Sequence, residues 1–314
     1  MEAVDPRDPV AVSGAVAAWG TQRFGGVVAV DGAPSAIGAG FDSYIHRVDL
    51  RGATLPEAWR VPLIVRLLPS ADRAAQAARE ATVQGWCADR CYAAPRVLAV
   101  LGPDEGLGLP TQIMERAPGV TMLDAVSARP WRAYRLVDQR LGLPPRVVAE
   151  LDRPELAAAL KRAEGLSETA MAGSHVVCHG DFHPLNVVVD GERASVIDWT
   201  DAGLGPREAD VARTILIFHI AAIAAGSAIE RFALKMAGPR LARRYRRSYE
   251  VGASLDPERM RQWTVLHAVH GWAQVEMLHA GGFDGSSSAD AARIPASVGA
   301  FLQRRVNEEL AAIG

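Results

Sequence analysis

The apolar positions change their period partway along the chain. In the first third they come in short runs rich in β-branched residues. Residues 27–30, residues 41–49 just after a pair of glycines, residues 61–68, residues 97–101 and residues 111–114 each predict a strand. The run at 61–68 is apolar almost throughout, as a strand buried on both faces must be. Arg51-Gly52 and residues 103–108 supply turns between strands. The alanine-rich stretch 72–89 predicts the one helix of this region. Pro118 and Gly119 end the last strand, and helical spacing dominates from there on. Helices are expected over residues 153–172, 208–225, 228–249, 257–280 and 298–313, with breaks at Gly226-Ser227 and at Gly238-Pro239, the latter dividing the third of them. The pattern therefore predicts an α+β chain with a β-rich lobe over 1–117 and a helical lobe over 118–314.

Length agrees with two lobes, because 314 residues exceed what one core usually holds. Composition is ordinary for a folded protein, with 49% apolar and 22% charged residues and a formal net charge of -2. That balance argues against a nucleic-acid partner. Lys161 and Lys235 are the only lysines, so the first lobe has none. Cys87, Cys91 and Cys178 are too few and too scattered for a disulfide framework, and Cys87 and Cys91 are expected to pack within one helix. Glu2, Asp5, Arg7 and Asp8 precede any apolar run, which does not resemble a secretion signal. The longest apolar run, 215–225, includes His219 and is too short to span a bilayer, so it predicts a buried helix. A cytoplasmic protein without a membrane partner is expected; oligomeric state is left open.

The segment from Val176 to Trp199 carries the chemistry. Asp181 follows a short apolar run and lies in a loop that Pro184 keeps from becoming a helix. Asn186 opens a run of three valines, Asp190-Gly191 signals a turn, and residues 194–197 return toward Asp198. In this hairpin a five-residue loop would set Asn186 opposite Asp198, and a two-residue loop would set it opposite Ser195. Either register lets the oxygens of Asn186 and Asp198 share a hard cation such as Mg²⁺. The spacing His-x-Asp-x-x-x-x-Asn with a later Asp is that of phosphoryl-transfer sites, in which the first Asp receives the hydroxyl proton. A zinc cluster of His179, Asp181 and His183 is a weaker alternative, because it leaves Asn186 and the hairpin without a role. Asp210 is expected to cap its helix or to pair with Arg213.

His179-Gly-Asp181-Phe-His183-Pro-Leu-Asn186, then Ile197-Asp198-Trp199, resembles the aminoglycoside phosphotransferase and choline kinase family. The stretch from Gly203 through Pro206 to Asp210-Val-Ala also resembles that family. The resemblance implies a bilobal protein-kinase-like fold: an antiparallel N-terminal sheet with one helix, followed by a larger helical lobe. It implies a kinase that moves the γ-phosphoryl group of ATP or GTP to a small-molecule hydroxyl. Asp181 would be the catalytic base, Asn186 and Asp198 the Mg²⁺ ligands, and His179 a support for the loop.

On such a fold the first lobe holds the nucleotide. Gly38 and Gly40, leading to Ser43, fit a turn that covers phosphates. Arg66, on the third strand, stands where the family is expected to have a lysine. Glu80 is its partner by order along the chain. The link Met114-Glu115-Arg116-Ala117 would meet the base through its backbone. Acceptor contacts are expected from Asp201, Glu208 and Glu276, or from Trp263, His267 and Trp272 on one helix. An aminoglycoside, amino alcohol or sugar would each suit. The arginine at 66 also motivates a second reading, a non-catalytic nucleotide-binding protein of the same fold. A protein kinase fits poorly, since little chain follows Trp199 before the next apolar helix.

Overall fold

The computed structural model describes residues 4–40, 43–121, 153–173, 175–224, 228–280 and 294–313. The chain forms two units: Met1–Ala125 with Val187–Trp199, and Val126–Asn186 with Thr200–Gly314.

The first unit begins with a helix that the strand-rich pattern of this region concealed, α1 (Pro9–Phe24). Its ends are conventional. The Asp8 carboxylate accepts the Val10 N–H at 2.8 Å, Pro9 occupies the first turn, and Gly25 closes the last one at φ 69. Val12, Val16 and Ala17 fall on one face and are buried. The strands are β1 (Ala29–Val30), β2 (Ser35–Gly40), β3 (Ser43–Val48), β4 (Leu50–Arg51), β5 (Leu63–Leu67), β6 (Val97–Leu101), β7 (Thr111–Glu115) and β8 (Val120–Thr121), with α2 (Ala74–Asp89) between β5 and β6. A five-stranded antiparallel sheet runs in the order β2-β3-β5-β7-β6.

The expected first strand is not in this sheet. Residues 29–30 pair instead with Leu50–Arg51, and the place is taken by the glycine-bearing segment β2. The next strand is described over Ser43–Val48, and Phe41 and Asp42, where the expected strand begins, lie outside the described residues. Central β5 buries Leu63, Val65 and Leu67 against Val12 and Val16 of α1, Val48 and Ile113. Cys87 is buried in α2, but Cys91 lies beyond the helix end, exposed and at φ 61.

The hairpin β10 (Val187–Asp190) and β11 (Arg193–Val196) belongs to this unit, with β8 along its other edge. Its loop is Gly191-Glu192, so Asp190 pairs with Arg193 and the ladder ends at Val187 opposite Val196. This corrects both expected registers. Asn186 and Asp198 are one residue out of step along the two arms, and neither is in the ladder.

The second unit pairs β9 (His175–Cys178) with β12 (Gly203–Pro206). Around them are α3 (Pro154–Ala170), α4 (Arg207–Ala224), α5 (Ala228–Gly252), α6 (Pro257–His279) and α7 (Ala296–Ile313). Leu156 and Ala163 of α3, Val265, Val269 and Trp272 of α6, and Val298 and Leu302 of α7 make its main core. Helix α5 is not divided at Gly238-Pro239 but runs through Pro239. Gly238 has another use there. A Cβ at this position would stand 2.5 Å from the Phe218 carbonyl oxygen, so only glycine admits this approach of α5 to α4. Gly226-Ser227 lies outside the described residues. Among the described residues no helix is long and apolar enough to cross a membrane.

Candidate active site

Strand β9 delivers the chain into the loop 179–186, which closes with a single 3-10 turn at Pro184–Asn186. Two features hold the loop's start. Gly180 has φ 79, and its N–H donates to Asp210 Oδ1 at 2.7 Å. A Cβ on Gly180 would lie 2.5 Å from the Asp201 carbonyl oxygen. Asp210 thus caps this loop's backbone from the first turn of α4. Gly180→Ala combines a left-handed backbone, unfavourable by about 1–2 kcal/mol for alanine, with that clash. Denaturant unfolding of this variant is expected to reveal a loss of about 2 kcal/mol or more.

Asp181 is held on both oxygens. Oδ2 accepts from Asn186 Nδ2 at 3.1 Å and from His183 Nε2 at 3.3 Å, and Oδ1 faces Arg213 at 3.4 Å. The His183 tautomer follows from its other nitrogen. Nδ1 accepts the Leu185 N–H at 3.2 Å, so Nε2 carries the proton it gives to Asp181. The 3.3 Å approach of Asn186 Nδ2 to that same Nε2 is then a contact of two donors. His179 supports the loop as expected, accepting the Asp181 N–H on Nδ1 at 3.2 Å.

Burial alone would raise the Asp181 pKa. The His183 hydrogen bond, with the electrostatic field of His183, Arg213 and His179 around it, outweighs it and holds the pKa at about 2. A depressed carboxyl pKa stabilises the fold above its unfolded value. That contribution is present above about pH 3.8 and is lost as pH falls through about 2. Urea unfolding of wild type and Asp181→Asn across this window is expected to show a steeper acid loss in wild type.

Asn186 is buried, and its amide orientation is fixed. Nδ2 donates to the Asp181 carbonyl oxygen at 2.9 Å as well as to Oδ2, so both acceptors demand the nitrogen on that side. The Oδ1 atom is left as a hard acceptor, a donor type that fits Mg²⁺. Asp198 is half-buried and lies in the first unit, past the end of β11. Its φ is 61, a rare conformation for a residue with a Cβ and one that recurs at functional positions. Next to it the buried Trp199 donates Nε1–H to the Val196 carbonyl at 2.9 Å, anchoring the turn.

In the first unit Arg66 and Glu80 meet as expected, at 2.7 Å between Nη1 and Oε2, both buried. Ser43 is buried beside them and accepts from Arg66 Nε at 3.1 Å. Gln112, with no signal in the sequence pattern, links the set. Its Oε1 is 3.4 Å from Arg66 Nη1, and its Nε2 donates to the Ala77 carbonyl at 2.8 Å. Gln76, one turn before Glu80 on α2, donates to Glu80 Oε1 at 2.8 Å. Gly38 and Gly40 lie in β2, paired with Ile45 and Ser43, so they form a hairpin arm rather than a free loop. Met114 and Glu115 end β7. The Glu115 N–H bonds Arg96 O at 2.9 Å and the Arg116 N–H bonds Pro62 O at 2.8 Å, while Ala117 follows in the link.

The acceptor candidates of the second unit have structural partners. Glu208 accepts the Asp256 N–H at 3.0 Å at the start of α6. Glu276 accepts from Trp272 Nε1 at 3.1 Å and pairs with Arg153 at 3.1 Å. Trp263 donates to the Ala170 carbonyl, and His267 bonds the Ala209 carbonyl inside the core. Asp201 pairs with Arg213 at 3.1 Å.

Residues 124–263 match the family model described as the phosphotransferase enzyme family. No curated protein matches the chain. Among solved structures, aminoglycoside phosphotransferase APH(4)-Ia superposes with a TM-score of 0.54 at 18% identity, covering 96% of this chain and 99% of its own. A thermostable mutant of that enzyme, in a ternary complex with AMP-PNP and hygromycin B, gives 0.53 at 18% identity over 95% and 98%. Amicoumacin kinase hAmiN, in complex with AMP-PNP, Ca2+ and Ami, gives 0.52 at 12% identity over 87% and 88%. The fold is that of these protein-kinase-like phosphotransferases, and the family match includes the segment whose motif carries the resemblance.

Proposed function

We propose that this chain, whose residues 124–263 match the phosphotransferase enzyme family model, transfers the γ-phosphoryl group of ATP or GTP to a small-molecule hydroxyl. The observation that carries this reading is the clamped carboxylate of Asp181. It is ionised, fixed on both oxygens, and accompanied on its own loop by Asn186. With a pKa of about 2, Asp181 is a weak base before reaction. Its task is to accept the hydroxyl's hydrogen bond, aim the oxygen at phosphorus, and take the proton as the new bond forms.

Asn186 Oδ1 and the Asp198 carboxylate would hold Mg²⁺, which when bound offsets charge on the β- and γ-phosphates. The lobe over 1–117 would hold the nucleotide. Arg66, kept extended by Ser43 and Glu80, would face its phosphates, with the hairpin arm of Gly38 and Gly40 above them. The N–H groups of Glu115 and Arg116 are spent inside the lobe, so recognition of the base would fall to the backbone of Ala117 and to the carbonyl side of Met114-Glu115. The acceptor is a hydroxyl of an aminoglycoside, amino alcohol, sugar or related metabolite.

The test is nucleotide consumption with Mg²⁺ and ATP or GTP against a panel of these acceptors. Acceptor-dependent turnover that needs Mg²⁺ supports the reading and names the substrate class. No turnover with any acceptor, together with nucleotide binding indifferent to Mg²⁺, would replace it with a non-catalytic nucleotide-binding role.

A further inference from the structure

We propose that Arg213 is a positioning residue of the phosphoryl-transfer site, fixing the direction in which Asp181 presents its carboxylate to the acceptor hydroxyl. This rests on the function proposed above. Arg213 lies on α4, three residues after Asp210, so the two share a face of the helix. From that face Asp210 grips the loop's backbone at Gly180, and Arg213 reaches its side chain at Asp181.

The arginine side chain is only 3% exposed and stands between two carboxylates, 3.4 Å from Asp181 Oδ1 and 3.1 Å from Asp201 Oδ2. Asp201 in turn abuts Gly180 through its carbonyl. With Oδ2 held by His183 and Asn186, a second constraint on Oδ1 stops the carboxylate from turning about its Cβ–Cγ bond. One constraint alone would leave that rotation soft.

Stability alone gives little reason for this cation. A buried ion group is often no better for stability than apolar side chains of the same volume. What apolar side chains cannot do is hold a carboxylate's direction. The neighbouring imidazoles on α6 do not compete for the role. Burial first, then the Arg213 charge, holds His267 down to about 3 and lowers His270, so both stay neutral.

The experiment compares wild type with Arg213→Met, Arg213→Lys and Arg213→Ala, measuring kcat, nucleotide KM and melting temperature with the panel acceptor that wild type turns over. Arg213→Met is expected to lower kcat about 100-fold, the scale of a misplaced reacting group, with nucleotide KM unchanged. Arg213→Lys keeps the charge without the fork and should recover part of the loss. Added guanidinium ion should recover part of it in Arg213→Ala, which a purely structural role would not allow. Unchanged kcat in the methionine variant overturns the proposal. So does a loss that neither lysine nor guanidinium recovers and that tracks the melting temperature. Wild type inactive with every acceptor and with water would overturn the phosphotransferase reading and this proposal with it, an outcome distinct from the other two.

Discussion

Asp181→Asn is expected to lower acceptor-dependent turnover by about 10²–10⁴-fold, the usual contribution of a positioned base. The substitution keeps the shape and removes the charge and the proton acceptor. It also disturbs the clamp. Placed toward Arg213, the new amide nitrogen would set a donor against a guanidinium. Turned the other way, it would meet the donors of His183 and Asn186. Either orientation leaves buried donors facing one another, unfavourable by about 1–3 kcal/mol. The variant should therefore melt earlier, and turnover must be measured well below its melting temperature. Nucleotide KM should change far less than kcat, because most groups proposed to hold the nucleotide are in the first unit, on β2, β3, β5 and the link after β7, and Asn186 keeps its bond to the Asp181 carbonyl oxygen. Turnover equal to that of wild type would remove Asp181 from the mechanism. A raised nucleotide KM with kcat unchanged would make it a binding group instead.

The loop of Asp181 was legible because its chemistry is local. Asn186 reaches Asp181 across five residues and His183 across two, so their spacing along the chain already sets their geometry. Arg213 and Gln112 escaped for the opposite reason. Each meets a carboxylate across 32 residues: local spacing offered Arg213 only Asp210 on its own helix, and it marks no glutamine in a buried strand as a partner.

The segment Ser35–Gly40 escaped as a strand because its glycines and alanines have weak strand preference. It pairs because β3 offers it a ladder. Helix α1 is different. Asp8-Pro9 and Gly25 are ordinary end signals, but Gly14 and Gly20 weaken the helical pattern between them by about 1 kcal/mol each. Burial of Val12, Val16 and Ala17 overrides that weakness. The hairpin register turned on a single residue: the loop uses Gly191 and Glu192, and the Asp-Gly signal alone does not say which pair forms the turn.

The Arg66–Glu80 pair should couple strongly in a double-mutant cycle. Arg66→Met takes the guanidinium from the buried Glu80, to which Gln76 and Gln112 still donate, and breaking such a pair from one side is unfavourable by about 3–5 kcal/mol. Glu80→Leu leaves the guanidinium buried with Ser43 and Gln112, at a similar loss. The double variant removes both charges and fills the space with apolar side chains, so it should be less destabilised than the two single losses together, by about 2 kcal/mol or more. Denaturant unfolding of the four proteins measures this directly. Nucleotide affinity separates stability from function, because a pair that only holds the sheet to α2 would leave the double variant both stable and able to bind. If Arg66 faces the phosphates, the double variant will recover stability and still lose affinity. Additive stability losses would mean that the 2.7 Å pair contributes nothing beyond its separate hydrogen bonds. Unchanged affinity in a stable double variant would move phosphate recognition from Arg66 to the glycine-bearing hairpin of β2 and β3.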